Sequence, residues 1–226
     1  MRHGLVLTAA GHSTRFGGGS KVLATLAGVP ILVRAAAPFL EALDDVDVVV
    51  TARAEDRPAL EAVVRSLAAL AHARVVVGGA TRSESVRLGA EALAPEVTWV
   101  LVHDAARPCA TASLVRRVLA AAKAVGAAVP GLPVADTVHR VDERGLVVES
   151  PRREALRAVQ TPQIARRDLL RRAYAHASTF ALAATDEAGL LGAAGIPVAV
   201  VEGDSTNVKV TTREDLDRLE ALLRGR

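Results

Sequence analysis

The chain is short of the residues on which several kinds of function depend. Cys109 is the single cysteine in 226 residues, which excludes an internal disulfide and a multi-cysteine metal centre. Aromatic residues make up only 2%, too few for the stacking platforms of single-strand nucleic-acid binders. The arginines are scattered and the net charge is +3, so no nucleic acid is expected as a partner, whereas a small anionic substrate suits that balance. No apolar run approaches the roughly 20 residues of a membrane span. The opening Met-Arg-His-Gly leads into a strand-like run without a secretory apolar segment. These absences predict a cytoplasmic protein with no membrane attachment.

Lysine is scarce as well. Of 28 basic residues only Lys21, Lys123 and Lys209 are lysines. A compact ammonium with rotatable donors suits a crowded phosphate group, and Lys21 and Lys209 lie in motif-like stretches. Lys123 sits in an Ala-rich helical stretch and reads as solvated. The six histidines lack metal-ligand spacing. Cys109 follows a proline, has no evident base, and reads as a small packed residue. Without a nucleophile and base set, the expected chemistry works by positioning and charge stabilisation.

What the sequence does contain is a regular alternation. Continuous apolar runs at Gly4–Ala9, Val46–Thr51, Ala73–Val77, Val97–Val102 and Ala127–Val129 read as buried strands. Helical stretches separate them: Pro30 to about Leu43 with Pro38 as a kink, Ala54–Leu70, a helix capped by Thr81 or Ser83, and Thr111–Val125. This order predicts an α/β fold with a Rossmann-like, mostly parallel sheet and helices on both faces, as a single domain over residues 1–226. Between about 131 and 162 the pattern changes. Short β-like runs at Thr137–Val141 and Leu146–Glu149 flank "DERG", a hairpin signal. This segment reads as a protruding β-arm. An exposed hairpin is marginal alone, so it is expected to pack on a partner subunit. Val198–Glu202 reads as another strand, and Thr212-Arg-Glu-Asp215 as a capping box.

Three loops leave the carboxyl ends of strands, where ligands collect in such sheets. "LTAAGHSTRFGGGSK", residues 7–21, combines glycines that admit an anion to the backbone with the cations Arg15 and Lys21. It is neither a Walker loop nor a G-x-G-x-x-G turn. "GGATRSESV", residues 78–86, could present backbone and Ser85 to a base or ribose, or could simply cap a helix. "HDAARP", residues 103–108, puts Asp104 at a strand end, where a carboxylate can hold Mg2+ through water or fix a hydroxyl; Arg107 can pair with Asp104 or with substrate.

Taken in order, these three stretches with "DTV", "QTPQ", "ATDEA" and "NVKVT" resemble the 2-C-methyl-D-erythritol 4-phosphate cytidylyltransferase family of isoprenoid biosynthesis, over nearly the whole chain. The resemblance implies CTP and a sugar-alcohol phosphate as substrates, a divalent cation such as Mg2+, and a homodimer joined through the β-arm. It implies that Ala9, Ala10 and Gly11 line the nucleotide, with Gly79 and Ser85 near cytosine and ribose. Arg15, Lys21 and Lys209 become the catalytic cations. Asp104, Ala105 and Arg107 lie between the substrates. Thr137, Arg153, Thr161 and Thr185 bind the acceptor, several of them from the partner's arm. A ribitol 5-phosphate cytidylyltransferase, a transferase using another nucleotide base, and a non-catalytic nucleotide sensor are the competing readings.

Overall fold

The computed structural model describes residues 1–11, 16–17, 20–180 and 184–224. In chain order its elements are β1 (Arg2–Thr8), β2 (Thr25–Leu26), β3 (Val29–Pro30), α1 (Ile31–Ala42), β4 (Val46–Ala52), α2 (Arg57–Arg65), β5 (Arg74–Val77), α3 (Arg82–Ala92), β6 (Val97–Asp104) and α4 (Ala112–Val125). There follow β7 (Ala127–Pro133), β8 (Arg140–Val141), β9 (Val147–Glu149), β10 (Arg157–Val159), β11 (Gln163–Arg166), α5 (Arg167–Phe180), α6 (Glu187–Ala193), β12 (Ala199–Glu202) and α7 (Arg213–Arg224).

The main sheet runs β10-β7-β11-β6-β1-β4-β5, with β12 also on β7. β1 pairs in parallel with β4 and β6, β4 with β5, and β12 with β7. The expected α/β class and mostly parallel sheet are therefore present. Successive side chains of a strand point to opposite faces, and β1 shows the consequence. Leu5 and Leu7 join a cluster with Phe39 of α1, Leu60 of α2 and Leu114 of α4. Val6, between them, joins Val86 of α3, Leu170 of α5 and Leu191 of α6 on the other face. All three β1 residues are fully buried, and burial of each such side chain contributes about 1.5–3 kcal/mol relative to exposure.

Two short antiparallel strands were not anticipated. β11 pairs with both β6 and β7, and β10 continues along β7 through the Gln160 N–H to Pro130 carbonyl bond at 2.8 Å. The base of the 131–162 segment thus belongs to the main sheet, and only the chain between Pro133 and Arg157 projects from it. Within that projection β8 and β9 form the expected hairpin. Asp142 Oδ1 accepts from the N–H groups of Arg144 and Leu146, and Gly145 takes φ 79°. Among the described residues no helix is long and apolar enough to cross a membrane.

Candidate active site

The strand-end loops leave at one level because short backbone bonds extend the parallel ladder. Ala9 N–H donates to Thr51 O at 2.8 Å, Gly78 N–H to Ala52 O at 2.8 Å, and Ala105 N–H to Thr8 O at 3.1 Å. Above them opens a cleft of about 500 Å³. Its lining includes the backbone following β1, Arg53–Glu55 following β4, the turn following β5, Asp104 at the end of β6, Lys21, and Lys209. Ala9, Ala10, Gly11, Gly79 and Ser85 all line it.

The β5 turn is tightly built. A side chain at Gly78 would stand 2.7 Å from both Ala10 Cβ and Ser85 Oγ, so only glycine lets these two walls approach. Ser85 is 2% exposed. Its hydroxyl donates to Thr81 O at 2.9 Å and accepts from Gly79 N–H at 3.1 Å. Ser85 therefore shapes the turn from beneath. Thr81 caps α3, its hydroxyl accepting from Glu84 N–H at 3.1 Å, worth about 1 kcal/mol.

Lys21 opens a single 3-10 turn, Lys21–Leu23, whose Val22 is buried. A separate apolar cluster of Phe16, Leu26, Ile31, Val210 and Leu219 ties the glycine loop to α7. Arg213 lies over the Phe16 ring, 5.3 Å from its centroid. The loop that carries Lys21 and the segment that carries Lys209 are thereby docked on the same small core. Arg15 lies outside the described residues.

At the cleft floor a carboxylate collects cations. The Asp104 side chain is 8% exposed; its Oδ2 is 2.7 Å from Lys209 Nζ and its Oδ1 is 3.1 Å from Arg82 Nε. Thr8 Oγ1 donates to Oδ1 at 3.2 Å, and Arg107 Nε stands 3.9 Å from Oδ2. Burial alone would raise the pKa of this carboxyl, but Arg82 and Lys209 hold it well below the usual carboxylate range. Arg82 turns its two terminal nitrogens to Glu187, at 2.9 and 3.1 Å. Burial would lower the Arg82 pKa, yet Glu187 and Asp104 push it up. Burial pushes the Glu187 carboxyl up against the opposing pull of Arg82.

A buried relay fixes Asp104 and Arg107 from behind. Asp104 N–H donates to Thr161 Oγ1 at 3.1 Å, and Thr161 Oγ1 is 2.9 Å from His103 Nδ1. His103 Nε2 is 3.1 Å from Arg107 O. A carbonyl can only accept, so Nε2 carries the proton and Nδ1 accepts from the Thr161 hydroxyl. Burial lowers the His103 pKa to about 4, which keeps this ring neutral at pH 7. The Lys209 segment is stitched to the same place. Asn207 Nδ2 donates to Thr161 O at 2.8 Å, and Val210 N–H to Ala106 O at 2.8 Å.

Several expected contacts take other places. Thr161, read as an acceptor contact, is 4% exposed with its hydroxyl engaged in the relay; it supports Asp104 and presents no surface. Ala105 is fully buried behind the floor. Arg107 is mostly buried, with Nη1 donating to Asn207 O at 2.7 Å. Thr137, Arg153 and Thr185 are exposed and outside the cleft lining. Arg153 donates to Ala135 O at 2.8 Å, within the arm. Arg82, Glu187 and Thr8 were missed. Arg82 did carry a signal: a cation at the first position of a helix opposes the dipole and needs a nearby carboxylate. Glu187 falls inside the quoted "ATDEA", but nothing local in it points to an ion pair with Arg82.

The described residues contain no cluster of three or more His, Cys, Asp or Glu able to hold a metal ion. Each oxygen of Asp104 already faces a cation. Direct coordination there would displace Lys209 or Arg82, whereas a water-mediated contact leaves both in place.

The profile of the 2-C-methyl-D-erythritol 4-phosphate cytidylyltransferase family matches residues 4–225. A protein of that name from Saccharopolyspora erythraea is 44% identical, over 96% of this chain and 97% of its own. A "Bifunctional enzyme IspD/IspF" from Rhodopseudomonas palustris is 41% identical, over 98% of this chain and 55% of its own. The chain thus spans about half the length of the bifunctional relatives it matches. Among solved structures, the 2-C-methyl-D-erythritol 4-phosphate cytidylyltransferase of Thermus thermophilus superposes with a TM-score of 0.78 at 39% identity, covering 99% and 100% of the two chains. The 4-diphosphocytidyl-2C-methyl-D-erythritol synthase of Anaerococcus prevotii superposes with 0.86 at 25% identity, covering 98% of each.

Proposed function

The chain belongs to the 2-C-methyl-D-erythritol 4-phosphate cytidylyltransferase family, and from that membership we propose that it transfers CMP from CTP to 2-C-methyl-D-erythritol 4-phosphate, releasing pyrophosphate, in isoprenoid biosynthesis. One observation supports this most directly. Lys21, Asp104 and Lys209, far apart in the chain, meet on a single cleft whose lining also includes Ala9–Gly11 and Gly78–Gly79.

An oxygen of the acceptor's phosphate attacks the α-phosphorus of CTP. A P–O bond forms as the bond from that phosphorus to the bridging β-phosphate oxygen breaks, and pyrophosphate leaves with the electron pair. The attacking oxygen is already anionic, so no base is needed. The obstacle is repulsion between two phosphates and charge growth at the crowded phosphorus. Lys21, Lys209 and Arg15 are the residues assigned to offset it, by electrostatic preorganisation. Asp104 would hold Mg2+ through water; such an ion supplies further neutralisation of the triphosphate.

The acceptor side is assigned to Thr137 and Arg153 of a partner subunit's arm, and to Thr185. Exposed Val141, Leu146, Val147 and Val148 on the arm support a homodimer in which that apolar surface is covered. The cytoplasm, where both substrates would be met, completes the reading. Mixing the purified protein with CTP, Mg2+ and either methylerythritol phosphate or ribitol 5-phosphate, and following pyrophosphate release, tests it. Release with the first acceptor is expected. Release only with the second would reassign the acceptor, and none with either would favour a nucleotide sensor.

A further inference from the structure

We propose that Arg82, gripped by Glu187, is a standing counter-ion for Asp104 that frees Lys209 to leave Asp104 and move onto the reacting phosphate. The inference rests on the cytidylyltransferase reading above and adds to it a positioning pair, Arg82 and Glu187.

Lys209 begins in contact with Asp104, 2.7 Å from Oδ2. An ammonium has three donors and can touch two anions at once, but its charge serves the phosphate in full only when it leaves Asp104. Asp104 is nearly buried, and a buried carboxylate stripped of its partner is strongly disfavoured. A site in which Lys209 were the only close cation would therefore oppose the motion that the reaction needs. Arg82 removes this opposition, because its Nε already holds the other oxygen, Oδ1, at 3.1 Å.

Arg82 is itself prevented from following the phosphate. Both terminal nitrogens are committed to the two oxygens of Glu187, a fork geometry that an ammonium cannot reproduce. Glu187 is buried as the first residue of α6. The preceding Asp186 caps that helix through Gly189 N–H at 2.8 Å and accepts from Gln163 Nε2 at 2.9 Å. The anchor of Arg82 is thus a helix start fastened to β11. Three cations (Arg82, Arg107, Lys209) face two carboxylates (Asp104, Glu187). When Lys209 departs, two cations and two carboxylates remain and the floor is neutral. The mobile charge is a lysine with 39% of its side chain exposed, and the stationary one is an arginine.

The experiment is steady-state pyrophosphate release by Arg82→Gln, Arg82→Lys and Glu187→Gln, each alone and combined with Asp104→Asn. Arg82→Gln is expected to lower kcat about 10-fold, within the range of coupling in one ion-pair network, with the KM for CTP changed less than about 2-fold. Arg82→Lys recovers part of the loss. In the Asp104→Asn background Arg82→Gln has no further effect, because no anion is left to retain Lys209. Glu187→Gln preserves shape and shows the same kcat-only, Asp104-dependent loss in smaller degree, which keeps the test available should Arg82 variants misfold. Equal factors in both backgrounds would mark a structural role, and a raised KM for CTP would mark direct nucleotide contact; either overturns the proposal. Unmutated protein inert toward CTP and methylerythritol phosphate overturns the reading of the site and this inference with it.

Discussion

Acid should destabilise this fold in part through one buried side chain, His103, whose share can be isolated. The ring is fully buried and its pKa is lowered from 6.5 to about 4 by that burial. In the unfolded chain the imidazole titrates near 6.5. Above pH 7 both states are neutral and the residue adds no pH dependence. Between 6.5 and 4 the unfolded state binds a proton that the folded state refuses, so stability falls as pH falls. The gap from 6.5 to about 4, at about 1.4 kcal/mol per pH unit, amounts to about 3 kcal/mol. His103→Gln isolates it: glutamine can still donate to Arg107 O but cannot take up a proton. Urea unfolding followed by circular dichroism, at fixed protein concentration from pH 7 to pH 4, is the assay. At pH 7 the variant should be weaker by about 1 kcal/mol, for the lost Thr161 bond. Toward pH 4 the wild type should lose about 3 kcal/mol that the variant keeps. Titrations of Glu187, Asp104 and His3 are common to both and drop out of the difference. Parallel stability curves would refute the buried, proton-refusing relay and with it the assigned tautomer.

Lys21→Ala and Lys209→Ala should each reduce turnover by ~100-fold or more, the scale for losing one preorganised charge or donor; near-normal pyrophosphate release by both would remove the electrostatic mechanism. Arg153→Ala should raise the KM for the sugar phosphate more than that for CTP, and light scattering should show a dimer. Equal effects on both substrates, or a monomer, would detach the arm from the acceptor site. Gly89→Ala would place a Cβ 2.6 Å from Val6 Cγ1 and 2.8 Å from Thr51 Cγ2, where α3 presses on the sheet. It should lower stability by about 1–3 kcal/mol, and an unchanged denaturation midpoint would mean that the contact relaxes at no cost.

The parallel core was legible because strands buried on both faces read as continuous apolar runs, as in Leu5-Val6-Leu7 and Val48-Val49-Val50. β11 was not legible, because "QIAR" begins and ends on polar residues. Gln163 is nonetheless buried, as its amide donates to Asp186 and accepts from Ala188 N–H at 2.9 Å each. Sequence gives no hint of bonds that span more than 20 residues. The same limit applies at the site. Lys21 and Asp104 could be picked out at or just past strand ends, whereas Ala9–Gly11 and Gly79 were assigned through the family resemblance. The Arg82–Glu187 pair joins positions 105 residues apart, and although Arg82 at a helix start hints at a carboxylate, nothing local says which one. Thr161 was read as a ligand contact because it stands among motif-like residues. The ladder through Gln160 and Pro130 draws that segment into the sheet and turns its hydroxyl inward.

The scarcity of lysine acquires a physical meaning in this cleft. The two described arginines nearest the floor are tied in place, Arg82 by the Glu187 fork and Arg107 by the Asn207 carbonyl. A planar guanidinium makes directional bonds to several partners at once and gives them up together. An ammonium on a four-carbon stem is a point charge that can exchange one partner for another. A chain that chooses arginine 25 times in 28 would lose little by choosing it at 21 and 209 if those charges only had to stand still. Keeping lysine at 209 fits a charge that must change partners, with the fixed Arg82 left on Asp104 to absorb the vacancy.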